Sequence, residues 1–173
     1  RHAILLHPGP AFINTAWCVA LDHRQTARLA GFGAALPLDY LVKASGRADI
    51  TFDLIKRFPF PKQHHLDSAL LLRALRLNCL TANYASLWEE LFEEAWAGDE
   101  WTSGPCKRIE LASAGPEWTM ATPLRREFER RMALVELDAI AAIMLGLTSE
   151  QLCAMYRTQF AVLRKYEYAM AFD

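Results

Sequence analysis

The chain has 173 residues, 53% of them hydrophobic and 23% charged, and a formal net charge of −1. This apolar fraction is enough for a packed core and excludes a disordered chain. A freestanding DNA-binding domain is usually basic because it must contact phosphates, so the charge disfavours tight autonomous DNA binding but leaves local basic patches possible. The length fits one domain, or one domain with an appended helical lobe.

The first 62 residues predict a small mixed α/β part. Apolar stretches at residues 3–6 and 13–21 lie around a Pro-Gly-Pro turn and predict two short strands. Residues 22–31 predict a helix, since an aspartate that can cap it comes first and a glycine comes last. Residues 34–44 predict a second helix. Residues 50–57 alternate in part and predict a strand, which the prolines of the following Phe-Pro-Phe-Pro segment end.

Residues 63–173 predict a helical lobe, so the expected fold class is α+β, predominantly α-helical, with a bundle of about four helices. Apolar side chains recur at helical spacing over residues 66–82 and 84–97. Residues 98–121 contain glycines and prolines and predict an irregular connection, with room for one brief strand at 106–112.

Two helix starts are predicted in the last third of the chain. Thr122 and the proline after it predict a helix that runs to Leu145. Thr148 and Gln151 have the spacing of a capping box and predict a short helix over residues 149–157. The remaining tail is rich in aromatic residues, and we expect it to lie against a partner.

The spacing of the cysteines and the length of the apolar runs bear on metal binding, membrane spanning and cellular location. The four cysteines, Cys18, Cys79, Cys106 and Cys153, have no CxxC spacing. Scattered cysteines of this kind are typical of reduced residues in a cytosolic protein, so we expect no metal site and a cytoplasmic location. The longest apolar runs are far below the roughly 20 residues of a membrane span, so we expect no membrane contact.

Three segments, taken in order, resemble the C-terminal region of large adenine-specific DNA methylases of the fused type IIG restriction–methylation and phage-exclusion kinds. Residues 36–61 are similar to a helix, small-residue loop, strand and Leu-Pro-x-Pro pattern of that family. Residues 72–92 resemble the helical stretch that follows it, and residues 128–167 resemble the family's C-terminal helix pair. The chain departs from the pattern at Lys43, where the family usually has arginine, and at Gly46, which replaces a glycine pair.

The resemblance implies a bacterial adenine-N6 methyltransferase of restriction–modification or phage defence, whose C-terminal region recognises the target and covers the DNA. The chain has no Asn/Asp-Pro-Pro-aromatic tetrapeptide for a flipped base and no glycine-rich turn for a nucleoside cofactor. We therefore expect no catalytic residue and no cofactor site in these 173 residues. An upstream methyltransferase domain would bind S-adenosylmethionine, and DNA would be the shared partner.

The candidate DNA-binding residues are Lys43, Arg47, Lys56 and Arg57. They lie in and after a small-residue loop, where the backbone can approach a phosphate or a groove edge and arginine can read guanine. The alternative is an ordinary solvated hairpin. If these cations are held in ion pairs or point apart, the second hypothesis gains: a helical protein-interaction module that docks a partner subunit of a defence complex without contacting DNA.

Other charged and aromatic residues have simpler explanations. Arg73 and Arg76 are expected to pair with carboxylates between Glu89 and Glu94 of the next helix. The tryptophans lie in acidic surroundings that would repel nucleic acid, so we expect them in the core or at a domain interface. The arginines around residues 125–131 are interpreted as a solvated face, although a phosphate would relieve their conflict with the helix dipole.

Overall fold

The structure is a computed structural model that describes residues 3–9, 18–19, 21–46, 50, 52–102 and 110–169. In this part of the chain the helices are α1 (His23–Ala34), α2 (Leu36–Ala44), α3 (Phe52–Ile55), α4 (Asp67–Asn78), α5 (Ala85–Leu91), α6 (Glu127–Met144), α7 (Ser149–Gln159) and α8 (Ala161–Ala169), with short 3-10 turns at Ala82–Tyr84, Glu94–Gly98 and Leu111–Ser113. The prediction of a predominantly helical fold is confirmed. Among these residues, no helix is both long enough and apolar enough to cross a bilayer.

The predicted strands are wrong wherever their residues are described, so the described residues of the N-terminal part do not support the predicted mixed α/β structure. Residues 3–6 have no regular structure. The backbone of Leu5 is paired by side chains instead of a strand ladder: its N–H donates to Asn78 Oδ1 at 3.0 Å, and its carbonyl accepts from the Tyr84 hydroxyl at 2.9 Å. Most of the strands predicted at 13–21 and 106–112 lies outside the described residues.

The stretch predicted as a strand at residues 50–57 contains the single helical turn α3. Leu54 of this turn is buried. A helical turn satisfies its backbone groups locally, whereas a strand needs a neighbouring strand to accept its ladder of hydrogen bonds. Among the described residues no such neighbour exists, so the partial apolar alternation leads to a turn of helix.

Helix α1 begins where the sequence predicts it and ends later. Asp22 Oδ1 accepts from Gln25 N at 2.8 Å, which confirms the N-terminal cap. Gly31 does not end the helix but marks its close contact with α4, because a Cβ at this position would lie 2.7 Å from Leu70 Cδ2 and 3.2 Å from Ala74 Cβ. The glycine therefore sets the approach of the two helices.

Helix α4 is the central element of the fold. It packs against α1 on one side and α6 on the other, and every residue from Leu70 to Leu77 is buried. One apolar cluster joins α1, α4 and α5 and contains Trp88 and Trp96, whose ring centroids lie 5.5 Å apart. A second cluster lies among α1, α2, α4 and α6 around Phe32 and Leu137. The core assignment of these two tryptophans is confirmed.

Two further helix boundaries differ from the prediction. Helix α5 ends at Leu91, after which Phe92 is extended. Helix α6 begins at Glu127 and not at Thr122. Thr122 is buried and its hydroxyl accepts from Thr119 N at 2.8 Å, so it closes a turn and not a helix. The segment after it is held to α4, since Leu124 N donates to Arg76 O at 2.8 Å.

The turn between α6 and α7 agrees with the sequence prediction. Gly146 has a φ of +69°, the left-handed conformation that commonly ends a helix. The capping box is present in both directions: Gln151 N donates to Thr148 Oγ1 at 3.2 Å, and Thr148 N donates to Gln151 Oε1 at 2.8 Å.

Replacing Thr148 by alanine should lower the free energy of unfolding by about 1 kcal/mol, because a first-turn N–H of α7 loses its acceptor. Urea unfolding followed by circular dichroism would measure the change. Ser149→Ala is the matched control, since this neighbouring hydroxyl is exposed and contacts Glu150 instead of the helix backbone. Equal midpoints for Thr148→Ala and the parent chain would contradict the capping role.

Candidate nucleic-acid interface

Lys43 lies in the last turn of α2 and is tied to the corner between α7 and α8. Its Nζ lies 3.6 Å from Asp39 Oδ2, one turn earlier on α2. The same atom lies 3.6 Å above the centre of the Phe160 ring and donates to the Gln159 carbonyl at 3.4 Å. The side chain is 38% exposed. Lys43 is thus a fixed, accessible cation with one carboxylate neighbour.

The other three predicted DNA-binding residues have different positions. Arg47 lies outside the described residues. Lys56 and Arg57 lie in the turn after α3, where both side chains are exposed and Arg57 N donates to Leu54 O at 3.0 Å. The structure therefore brings Lys43 to the C-terminal helices and leaves Lys56 and Arg57 on a separate exposed turn.

Helices α7 and α8, called here the C-terminal hairpin, carry further cations beside Lys43. Arg157 and Lys165 are exposed, and Arg164 is half-buried with its Nη1 donating to the Arg157 carbonyl at 3.2 Å. Within the described part of the chain, none of these three side chains forms an ion pair with a carboxylate. The surface where Lys43 of α2 meets the C-terminal hairpin is called here the basic corner. It carries an excess of positive charge, although the whole chain has a formal net charge of −1.

Glu167 is the acidic residue of α8, and its charge is already neutralised. Arg131 of α6 pairs with the Glu167 carboxylate, which also accepts a hydrogen bond from the Tyr156 hydroxyl of α7. This three-residue contact fastens both helices of the hairpin to α6. The negative charge of Glu167 consequently does not cancel the free cations nearby.

The hairpin contains an open cleft of about 250 Å³, lined by Tyr156, Arg157, Arg164, Glu167 and Tyr168. Sequence analysis did not assign a site here. The available signal was compositional: residues 156–168 contain four aromatic and three basic residues but one acidic residue. Interleaved basic and aromatic side chains are typical of surfaces that bind single-stranded nucleic acid.

A second, larger cleft of about 670 Å³ lies beside the starts of α1 and α4. Its arginines are already paired: Arg24 Nη1 lies 2.7 Å from Glu93 Oε1, and Arg28 Nη2 lies 2.9 Å from Asp67 Oδ1. Two of the three Arg and Lys side chains in this lining are therefore neutralised, and Asp22 adds a further negative charge. Among the described residues, no group of three histidine, cysteine, aspartate or glutamate side chains is placed to hold a metal ion.

Arg73 is held inside the protein, as expected, but by partners other than the predicted ones. Its Nε donates to Glu136 Oε2 at 2.6 Å, and its terminal nitrogens donate to Asp99 at 3.0 and 3.2 Å. Burial alone would lower the pKa of Arg73, but the hydrogen bonds and charges of Asp99 and Glu136 raise it. Glu136 also accepts from Thr102 N at 2.7 Å, so the network fixes the segment after α5 onto α4 and α6.

Arg76 has a related structural role with backbone partners. Its guanidinium donates to the carbonyls of Glu110, Leu111, Ala121 and Thr122. Burial lowers the pKa of Arg76 to about 10, and the charge of Glu129 partly offsets this effect. Arg73 and Arg76 therefore hold the long connection between α5 and α6 and are not available to phosphate.

The arginines around the start of α6 also have internal acceptors. Arg125 donates to the Leu80 and Met120 carbonyls, and Arg130 donates to the Leu77 and Leu124 carbonyls. Because Leu77 is in the last turn of α4, Arg130 interacts favourably with the C-terminal end of that helix dipole. Since α6 begins at Glu127, Arg125 precedes the helix. The interpretation of a solvated face therefore does not hold for Arg130, which is half-buried, whereas Arg125 is exposed.

Asp138 of α6 caps the start of α2 from outside, because its Oδ1 accepts from Leu36 N at 2.7 Å. Burial raises the pKa of Asp138 to about 6, while the Leu36 hydrogen bond and the charge of Arg131 act in the opposite direction. The folded state therefore binds this proton more tightly than the unfolded state. Its contribution to stability is complete below about pH 4 and is lost as the pH rises to about 6.

Asp138→Asn should remove this pH dependence, since an amide oxygen still accepts from Leu36 N but does not ionise. The difference in unfolding free energy between parent and variant should change by on the order of 2 kcal/mol between pH 4 and pH 7, with the parent losing stability. Urea titrations at several pH values would measure it. Asp53→Asn is the control, since it makes the same change of side chain at an exposed position.

Comparison with known proteins adds no relative: no family model, no curated protein and no solved structure matches this chain. A function is therefore inferred from the chemistry of the corner formed by α2 and the C-terminal hairpin, together with the resemblance of the three segments.

Proposed function

We propose that this chain holds DNA for an adenine-specific DNA methyltransferase of bacterial restriction–modification or phage defence, as the resemblance implies. The catalytic domain, which would bind S-adenosylmethionine and flip the adenine, would be outside these residues. The observation that carries the proposal is the corner where Lys43 meets the C-terminal hairpin. There Arg157, Arg164 and Lys165 present positive charge without carboxylate partners among the described residues.

The distribution of charge distinguishes the surface around the C-terminal hairpin from the acidic surface of α5. Helix α5 and the turn after it expose Glu89, Glu90 and Glu94. Phosphates would be repelled there and attracted at the basic corner, so the field of the protein would orient it on a duplex even though its net charge is close to zero. Contacts of this kind position the protein and carry no sequence information by themselves. Base reading would fall to the predicted residues Arg47, Lys56 and Arg57.

The alternative proposal is a protein-interaction module of a defence complex without DNA contact. Two features favour it. Lys43 is held by Asp39 and Phe160 and is not a free loop cation. On α8, Val162 is 69% exposed and Tyr166 is 64% exposed, so this helix presents apolar surface to its surroundings. Burial of such side chains against a protein partner would be favourable.

Binding to a fluorescein-labelled 20-base-pair duplex, measured by anisotropy at a series of KCl concentrations, separates the two proposals. Each phosphate contact contributes about 0.9 to the slope of log affinity against log salt. The variant Arg157→Gln/Lys165→Gln should weaken binding and flatten the slope by about 1.8. The matched control is Lys62→Gln/Arg126→Gln, which removes the same charge from other exposed positions.

If both double variants lower affinity and slope equally, binding follows net charge alone and the corner is not the DNA site. If the parent chain shows no salt-dependent binding to the duplex, the DNA proposal fails and the protein-interaction proposal replaces it. Far-UV circular dichroism of each variant would verify that the fold is unchanged.

A further inference from the structure

The cleft of the C-terminal hairpin combines basic and aromatic residues, and attraction of phosphate does not account for the aromatic ones. Arg164 and Tyr168 lie four residues apart on α8, so they share one face of the helix. Across the cleft they meet Tyr156 and Arg157 of α7. Two arginines and two tyrosines therefore line one open space of about 250 Å³.

The residues that line the cleft differ in which of their polar and aromatic groups are available to a ligand. The Tyr156 hydroxyl is used by Glu167, which is in turn neutralised by Arg131. Arg164 uses Nη1 on the Arg157 carbonyl, which leaves its other guanidinium donors for a ligand. Tyr168 is 85% exposed, and its ring makes no ring–ring contact within the described residues. The cleft thus offers cationic donors beside an uncovered aromatic face.

We propose that this cleft binds a nucleotide of an unpaired DNA strand, with the phosphate between Arg157 and Arg164 and the base stacked on Tyr168. The bases of a duplex are already stacked and paired, so they present no face to Tyr168, whereas every unpaired base does. This inference rests on the proposed function, because it assumes that the basic corner contacts DNA. It adds that the C-terminal hairpin binds an unpaired DNA strand in preference to an intact duplex.

A labelled twelve-residue deoxythymidine oligonucleotide and a duplex of equal length, each titrated with the 173-residue chain, test the inference. Tyr168→Ala should weaken oligonucleotide binding about tenfold, the order expected for the loss of one stacked base. Tyr168→Phe should retain binding because the ring remains. The matched control is Tyr166→Ala, since Tyr166 is on the same helix but is not in the lining of the cleft.

The inference is supported if the oligonucleotide binds more tightly than the duplex and if Tyr168→Ala, but not Tyr166→Ala, removes the preference. Equal affinity for both DNAs, with no effect of Tyr168→Ala, overturns the inference and leaves the DNA-holding function standing. Absence of binding to both DNAs overturns the inference and the proposed function together. A tenfold loss with Tyr166→Ala would also overturn it, because the stacking residue would then be outside the cleft.

Discussion

Arg73→Ala should lower the free energy of unfolding by about 3–5 kcal/mol, the cost of breaking a buried ion pair from one side. The guanidinium is 2% exposed, and its removal leaves two carboxylates, Asp99 and Glu136, without their cation. The loss should be accompanied by release of the segment after α5, because Thr102 is held by the same Glu136. Urea unfolding and hydrogen exchange of the Thr102 amide would measure the two effects.

The matched control for this prediction is Arg24→Ala, which also breaks an arginine–glutamate pair but at a position where half of the arginine side chain is exposed. Exposed pairs contribute at most about 1 kcal/mol. A double-mutant cycle with Glu136→Gln isolates the interaction free energy between Arg73 and Glu136. If Arg73→Ala and Arg24→Ala have equal small effects, the buried network does not hold the connection between α5 and α6.

Trp88→Ala should lower the free energy of unfolding by about 3–5 kcal/mol, as large-to-small changes of buried aromatic residues do. Trp88 is 0% exposed, packs against Trp96, and donates from its indole nitrogen to the Gly115 carbonyl at 3.0 Å. Removal leaves a cavity between α4 and α5 and an unpaired carbonyl. Thermal or urea unfolding would measure the loss.

Trp118 supplies the comparison, since it is half-buried and donates to the Cys79 carbonyl at 2.9 Å. Trp118→Ala should cost less than Trp88→Ala. The pair also tests the rejected idea that the tryptophans stack on bases: folded Trp118→Ala should bind DNA as the parent does. A loss of DNA binding without a loss of stability would contradict the core assignment of these residues.

Local chemistry is the part of this fold that the sequence makes predictable. Asp22 and Thr148 each cap a helix through an N–H three residues away, so spacing alone identifies them. The strand predicted at residues 50–57 is not formed, and the reason is that a strand depends on contacts outside its own stretch. It requires a neighbouring strand whose presence cannot be inferred from the stretch itself, whereas the helical turn α3 satisfies its backbone groups locally while burying Leu54.

The features of the fold that the sequence did not predict depend on contacts between distant residues. Thr122 has the sequence features of a helix cap, but its position is decided by Arg76, which is 46 residues away and binds its carbonyl. The partners of Arg73 lie 26 and 63 residues away. The position of Lys43 depends on a ring at position 160. Neither spacing nor periodicity contains this information, so the position of the C-terminal hairpin against α2 could not be predicted from the sequence.

Site-specific photo-crosslinking tests the DNA-holding proposal most directly. A benzophenone side chain at Ala161 would lie on α8, one turn before Arg164, and one at Ala95 would lie among the exposed glutamates after α5. Both positions are exposed alanines, so no charge is lost. If the basic corner holds DNA, the probe at position 161 crosslinks to labelled DNA in low salt and the probe at position 95 does not. Equal crosslinking at both positions, or crosslinking at position 95 alone, would contradict the account.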